Sequence, residues 1–251
     1  MNPSPFSAES SVGGDRPVLV FDFDGTIALG DGPILAYAHK IADELSEQTA
    51  DLDGPRFLAL VRSELYADGA DSLDGYDAVR RIAEAHGAGP TLLERAYLAS
   101  RQALGTPAAP VGAPAGLADL LREVDAWRIL VTNAPATRIA ETLAELGLGD
   151  VFDHVITAAG KPTGLGAVLD SLPDGAVVLS IGDVWRNDLA PAHERGLDTA
   201  LVGPFIDPDA NPTLRAADTA SLIPAIRDWL TAASARPLSS ASHIHTHPSK
   251  G

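Results

Sequence analysis

A chain of 251 residues is long enough to bury a substantial core, as one large domain or as a medium domain carrying a smaller insert. Its 34 acidic residues outnumber 18 basic ones, and the formal charge of −16 repels nucleic acid and anionic membrane, so neither is an expected partner. There is no cysteine, which excludes disulfides, thiolate catalysis and cysteine-held zinc or iron–sulfur centres.

Residues 1–15 are rich in Ser, Pro and Gly, with no basic block and no apolar block, so a disordered start is expected rather than a secretory signal. No apolar run reaches the ~20 residues needed to span a bilayer, and a cytoplasmic protein is the default expectation. The first ordered element is read at Val18, Leu19, Val20 and Phe21, which run straight into Asp22, Phe23, Asp24, Gly25 and Thr26. Four apolar residues of this kind fit a buried parallel strand ending in a loop. Residues two apart on a strand point to one face, so Asp22 and Asp24 start out on the same side, and Gly25 lets the backbone turn. Alone, the stretch also fits an ordinary strand followed by an Asp-Gly turn.

Gly30 to Pro33 reads as a loop that leads into a helix, with Pro33 in the first turn. Apolar residues then recur at three- and four-residue spacing in four groups, over 34–45, 57–65, 79–83 and 92–97. No strand pattern separates them, so 31–105 is expected to be an all-helical unit inserted after the first strand. Residues 106–112, rich in Pro and Ala, read as a stiff linker back to the main domain.

From Leu117 onward the pattern alternates. Strands are expected at 128–132, 154–156, 176–181 and 199–202. Helices are expected near Leu120, over 136–146 with Gly147 as the cap, over 164–169, over 190–195 and through Leu222, Ile226, Trp229 and Leu230. Such alternation implies βαβ units and a parallel sheet with helices on both faces, which binds ligands at the carboxyl ends of its strands. The expected class is α/β, a doubly wound parallel sheet formed by 16–30 and 113–234. Residues 235–251 are Ser-, Pro- and His-rich and are expected to be a disordered tail, with no role assigned to His243, His245 or His247.

Chemistry gathers at the strand ends. Asp22 and Asp24 end one strand, Asp183 ends another, and Asp188 follows five residues later beside a helix start. In one crevice these carboxylates need a cation or a shared proton, because two such charges at ~4 Å repel by ~4 kcal/mol at an effective dielectric of 20. All-oxygen donors suit Mg2+. Singly, Asp183 also fits a helix cap and Asp188 an acid favouring a helix start. Thr132 and Asn133 offer a hydroxyl and backbone N–H groups between a strand and a helix, which fits an anion cradle or a plain N-cap. Lys161 lies in a Gly-Lys-Pro-Thr-Gly loop that needs no charge to fold, and it is one of three lysines against fifteen arginines.

Taken in order, Asp22 to Thr26, then Thr132 and Asn133, then Lys161, then Gly182 and Asp183 with Asp188, resemble the four motifs of the haloacid dehalogenase-like (HAD) hydrolase superfamily. The resemblance covers roughly residues 17–233, and the helical insert is similar to that superfamily's α-helical class 1 cap. It implies a Rossmann-like core and a phosphatase acting on a small phosphorylated metabolite. Asp22 would be the nucleophile that forms an aspartyl phosphate, and Asp24 the acid for the leaving alcohol and then the base for water. Mg2+ would be held by the Asp22 side chain, the Asp24 backbone carbonyl and Asp183, with Asp188 in support through water or by orienting Lys161. Thr132, Asn133 and Lys161 would hold the phosphoryl oxygens, with Arg138 or Arg186 as alternative sources of that charge. Asp24 separates this chain from dehalogenase members, which lack the second acid, and from phosphonoacetaldehyde hydrolases, which use a cap lysine; Lys40, in the insert, reads as a surface residue. The cap would open and close over 30–32 and the linker as hinges, and its cations His39, Arg56, Arg62, Arg80 and Arg81 read as solvated. The alternatives are a phosphomutase of the same superfamily and a non-catalytic phosphometabolite-binding protein, in each case a monomer or small homo-oligomer.

Overall fold

The computed structural model of the protein describes residues 12, 16–48, 54–65, 72–204 and 207–235. The expectations for 1–15 and 235–251 lie outside them, apart from Val12 and Ala235. In chain order, β1 (Val18–Phe21) is followed by four helices, α1 (Gly32–Gln48), α2 (Gly54–Leu65), α3 (Gly75–Ala85) and α4 (Pro90–Arg101). Then come α5 (Leu117–Glu123), β2 (Trp127–Val131), α6 (Ile139–Glu145), β3 (His154–Ile156), α7 (Thr163–Asp170) and β4 (Val178–Gly182). A π-helical turn, Trp185–Leu189, leads into α8 (Ala190–His193), β5 (Asp198–Leu201), β6 (Leu214–Arg215) and α9 (Thr219–Ser234). None of the described helices is long and apolar enough to cross a membrane.

The six strands form one sheet in the order β3-β2-β1-β4-β5-β6, and every neighbouring pair is parallel. The chain runs outward from β1 through β2 and β3, then returns to build the other half from β4, so the direction of winding reverses between β1 and β4. A crevice opens at the carboxyl ends of the strands at such a point.

The central place of β1 follows from its residues. Leu19 and Phe21 belong to the apolar cluster that includes Leu120 of α5 and Ile226 of α9, while Val18 and Val20 belong to the one that includes Leu165 of α7 and Ala192 of α8. Alternate side chains thus meet opposite helix layers, as the two-residue period of a strand requires. All four are at most 2 % exposed, and at about 1.5–3 kcal/mol each their burial offsets much of the entropy lost in ordering the strand.

Helices α1 to α4 pack on a core of their own, with Ile41, Leu45, Phe57, Val61, Val79 and Ala96 buried. The two chain crossings between this cap and the sheet domain run side by side, with Leu29 N–H donating to Gly112 O at 2.9 Å and Gly112 N–H to Leu29 O at 2.8 Å. The return crossing, read from its composition as a stiff linker, is held by hydrogen bonds and burial. Thr106 N–H and Oγ1 both donate to Ala103 O, Gly105 N–H donates to Ala109 O, and Ala109 is fully buried, so this part of the linker is a pinned turn. Helix α6 starts at Ile139 rather than 136 because Arg138 adopts a left-handed conformation, φ 58°, which interrupts helical hydrogen bonding.

Candidate active site

Each acid is placed by a strand end. Asp22 follows β1 and Asp183 follows β4, whose ends are adjacent because Phe21 pairs with Ile181. The π-helical turn brings Asp188 back beneath Asp183. Asp188 Oδ2 accepts from Val184 N–H at 3.0 Å, Ser180 Oγ donates to the Asp188 carbonyl at 2.7 Å, and Gly182 makes room, since a Cβ there would lie 2.3 Å from Asp188 Cβ. Carboxylate oxygens of Asp22, Asp183 and Asp188 consequently lie within 4.8 Å of one another.

Lys161 is wedged into this trio, with Nζ 2.5 Å from Asp22 Oδ1 and 2.6 Å from Asp188 Oδ1. Its loop is gripped by Asn133, whose Oδ1 accepts from Lys161 N–H at 2.6 Å and whose Nδ2 donates to the Lys161 carbonyl at 3.4 Å. Asn133 therefore acts through its side chain, which holds the Lys161 loop. Thr132 is buried, and its Oγ1 accepts from Ala134 N–H at 3.0 Å. Burial opposes the charge on Lys161, but Asp188 and Asp22 outweigh it and hold the ammonium well above its ordinary pKa.

One ammonium does not balance three carboxylates. Burial pushes the Asp183 carboxyl well up, with Asp22 and Asp188 adding to it, and burial pushes Asp188 up to about 6 despite the pull of Lys161. The donor set is all oxygen, and Gly25, at φ +80°, keeps space open beside Asp183, where a Cβ would sit 2.3 Å from Oδ2. A hard divalent cation fits this charge deficit and these donors.

A thermal-shift measurement checks that fit. With the Asp183 and Asp188 carboxyls pushed up, the folded protein binds more protons than the unfolded chain from the ordinary carboxyl range up to about pH 6 and, through Asp183, beyond. The metal-free protein therefore loses stability as pH rises through about 6. Magnesium at a hundredfold excess over its Kd should add about 2.7 kcal/mol, roughly 5–10 °C in Tm for a chain of this size. At one fixed magnesium concentration the shift should be larger above pH 6 than below it, because protons on the carboxylates compete with the ion, and equal shifts on both sides, or none, would contradict the cation site.

Asp24 lines the same cleft but has other partners, and they come from the cap. Arg101, at the end of α4 and 1 % exposed, places Nη1 at 2.9 and 3.2 Å from the two Asp24 oxygens. Tyr76 OH donates to Asp24 Oδ1 at 3.4 Å and accepts from Arg101 Nη1 at 3.0 Å. Burial raises the Asp24 carboxyl, while Arg101 is the main influence holding it down. The cleft measures about 410 Å³. The seven sequence-predicted residues Asp22, Asp24, Thr132, Asn133, Lys161, Asp183 and Asp188 all line it, as do Tyr37, Asp74, Tyr76, Arg80 and Tyr97 of the cap.

Arg138 and Arg186 are engaged elsewhere, donating to Leu104 O and to Asp207 Oδ2. Of the cap cations named from the sequence, only Arg80 lines the cleft, and Lys40 is exposed. Arg101 and the tyrosines were not anticipated. The available signal was spacing: Arg101 lies four residues after Tyr97 on the apolar stripe of α4, and all four tyrosines of the chain, Tyr37, Tyr66, Tyr76 and Tyr97, fall in the insert.

No protein-family model matches the chain, and no curated protein matches its sequence. Solved structures do. A protein described as a HAD-hydrolase from Bacillus subtilis, solved with magnesium bound, superposes with a TM-score of 0.56 at 18% identity, over 86% of this chain and 98% of that one. A haloacid dehalogenase-like family hydrolase from Xanthomonas campestris gives 0.54 at 20% identity, over 92% and 97%. A HAD phosphatase from Thermococcus onnurineus gives 0.50 at 21% identity, over 85% and 97%.

Proposed function

We propose that this chain, which has the haloacid dehalogenase-like fold, is a Mg2+-dependent phosphomonoesterase. It would act on a small metabolite in the cytoplasm, as a monomer or small homo-oligomer, through an aspartyl phosphate. The observation that carries the reading is the Lys161 ammonium shared between Asp22 and Asp188 at the crevice, beside an Asp183 with no ion pair among the described residues.

In the first half of turnover Asp22 attacks phosphorus, a new O–P bond forms and the ester O–P bond breaks, while Asp24 gives its proton to the departing oxygen. In the second, water attacks the same phosphorus, Asp24 takes a proton from it, and Asp22 leaves as carboxylate with phosphate released. Lys161, the Thr132 hydroxyl and the Asn133 backbone N–H hold the non-bridging oxygens as charge redistributes among them. Asp22, Asp183 and the Asp24 carbonyl would hold Mg2+, with Asp188 in support, and bound there the ion would neutralise charge between nucleophile and phosphate. Arg101 and Tyr76 orient Asp24 between leaving group and water.

The test is phosphate release from an aryl phosphate and from a panel of phosphorylated sugars, nucleotides, amino alcohols and acids, with Mg2+ or with excess chelator. Magnesium-dependent release is expected. Release from no ester would overturn the reading, and isomer formation without free phosphate would replace it with a mutase.

A further inference from the structure

The cap wall of the cleft carries aromatic surface and charge that the hydrolytic steps above leave unused. Building on the phosphatase reading, we propose that the alcohol half of the substrate carries an ammonium group, as in a phosphorylated amino alcohol, and that the cap rejects esters bearing a second anion.

The aromatic part starts where the leaving oxygen departs, because Tyr76 bonds Asp24. The rings of Tyr37, Tyr76 and Tyr97 form a triangle with centroids 5.8 to 6.0 Å apart, and Tyr97 meets each of the other two nearly edge-on. Tyr37 is 5 % exposed and lines the cleft, yet its hydroxyl has no hydrogen-bond partner among the described residues; the same holds for the half-buried Tyr97. Burial pushes both phenols up to about 12, so the rings that line the cleft stay neutral.

The charges on that wall favour a cation. Asp74 caps α3 through one oxygen, accepting from Asp77 N–H at 2.7 Å, and has no cationic partner among the described residues. Arg80 is the wall's positive group, but it already contacts Asp77 at 2.5 Å and both oxygens of Glu84 at 2.9 and 3.0 Å. Arg101 is turned onto Asp24 and Tyr76. Among the described residues around the leaving group, then, carboxylates outnumber cations: Arg80 is paired, and Arg101, bonded through Nη1 with its Nε and Nη2 buried and without a partner, does not line the cleft. An ammonium there gains both Coulombic attraction and contact with aromatic rings, while a carboxylate or second phosphate meets no unpaired cation among the described residues that line the cleft. The same deficit disfavours a bisphosphate intermediate of the kind a mutase needs.

Three esters of one carbon length separate the possibilities: 2-aminoethyl, 2-hydroxyethyl and carboxymethyl phosphate. Each is compared by kcat/KM or, if not turned over, by competitive inhibition of aryl phosphate hydrolysis. The aminoethyl ester should exceed the carboxymethyl ester by roughly a hundredfold, with the hydroxyethyl ester between them. Asp74→Asn, which retains a capping oxygen, should shrink that ratio about tenfold. Aryl phosphate hydrolysis with the carboxymethyl or hydroxyethyl ester equal or better, with no binding of the aminoethyl ester, or with an unchanged ratio in Asp74→Asn overturns the inference and leaves the phosphatase standing. Hydrolysis of no phosphate ester at all removes the phosphatase, and this inference with it.

Discussion

Asp22→Asn is expected to lower kcat roughly 10⁴- to 10⁶-fold, the scale seen when a covalent nucleophile is removed, in a chain that still folds. The amide has the shape of the carboxylate but almost none of its nucleophilicity, so the loss falls on the chemical step rather than on packing. Asp22 is one of three clustered buried carboxylates, two of which, Asp22 and Asp188, share the Lys161 ammonium, and the neutral side chain relieves the repulsion it exerts on Asp183 and Asp188. The metal-free variant should therefore melt at the wild-type temperature or above it, while its magnesium-induced shift shrinks, because a proposed ligand is gone. Quenching the wild-type enzyme during turnover and mapping it by peptide mass spectrometry should find a phosphoryl group on Asp22. Activity above about 1% of wild type in the variant would place the nucleophile elsewhere, since removing a true one leaves far less.

Why these seven residues were legible, and Arg101 was not, comes down to how far each depends on tertiary placement. A run of four apolar residues ending in acids can bury itself only at the middle of a sheet, which fixes Asp22 and Asp24 at its exit. Asp183, Thr132 and Lys161 follow by the same logic at neighbouring strand ends and loops. What the strand period does not encode is the partner: Asp22 meets Lys161, whereas Asp24 meets Arg101, 77 residues away in the cap. That pairing depends on how the helical unit sits on the sheet, and hydrophobic spacing within each helix says nothing about it. An arginine on a helix reads as solvated, and a tyrosine on an apolar stripe reads as core. The two-residue β6 is too short to show a period, and the widened turn at Trp185–Leu189 has no apolar signature that separates it from the start of α8. The shape of the return crossing was hidden for a different reason: Pro and Ala suggest stiffness but do not say that burial of Ala109 holds the chain in a turn.

Arg101→Met is expected to destabilise the protein and to slow the second half of turnover more than the first. Breaking a fully buried ion pair costs about 3–5 kcal/mol; with the Asp24 side chain 23% exposed, about 2–4 kcal/mol is the better expectation, or roughly 5–15 °C in Tm. The kinetic direction follows from what holds Asp24. Burial raises its carboxyl and Arg101 is the chief opposing influence, so without the guanidinium the acid form persists to higher pH. Protonation of the departing oxygen survives, but removal of a proton from water does not. The variant should show a burst of alcohol followed by slow phosphate release, with accumulated phosphoenzyme and an alkaline displacement of the rising limb of its pH profile. Arg101→Lys restores a charge without the planar fork and should recover part of that displacement. Adding Asp24→Asn to Arg101→Met removes the buried carboxyl left without its partner, so the double variant should regain stability, most clearly at pH values where that carboxyl would ionise, without regaining activity, a non-additivity expected only if the two side chains act as a pair. A merely structural arginine would lower Tm and leave the burst, the pH profile and the lysine rescue unchanged.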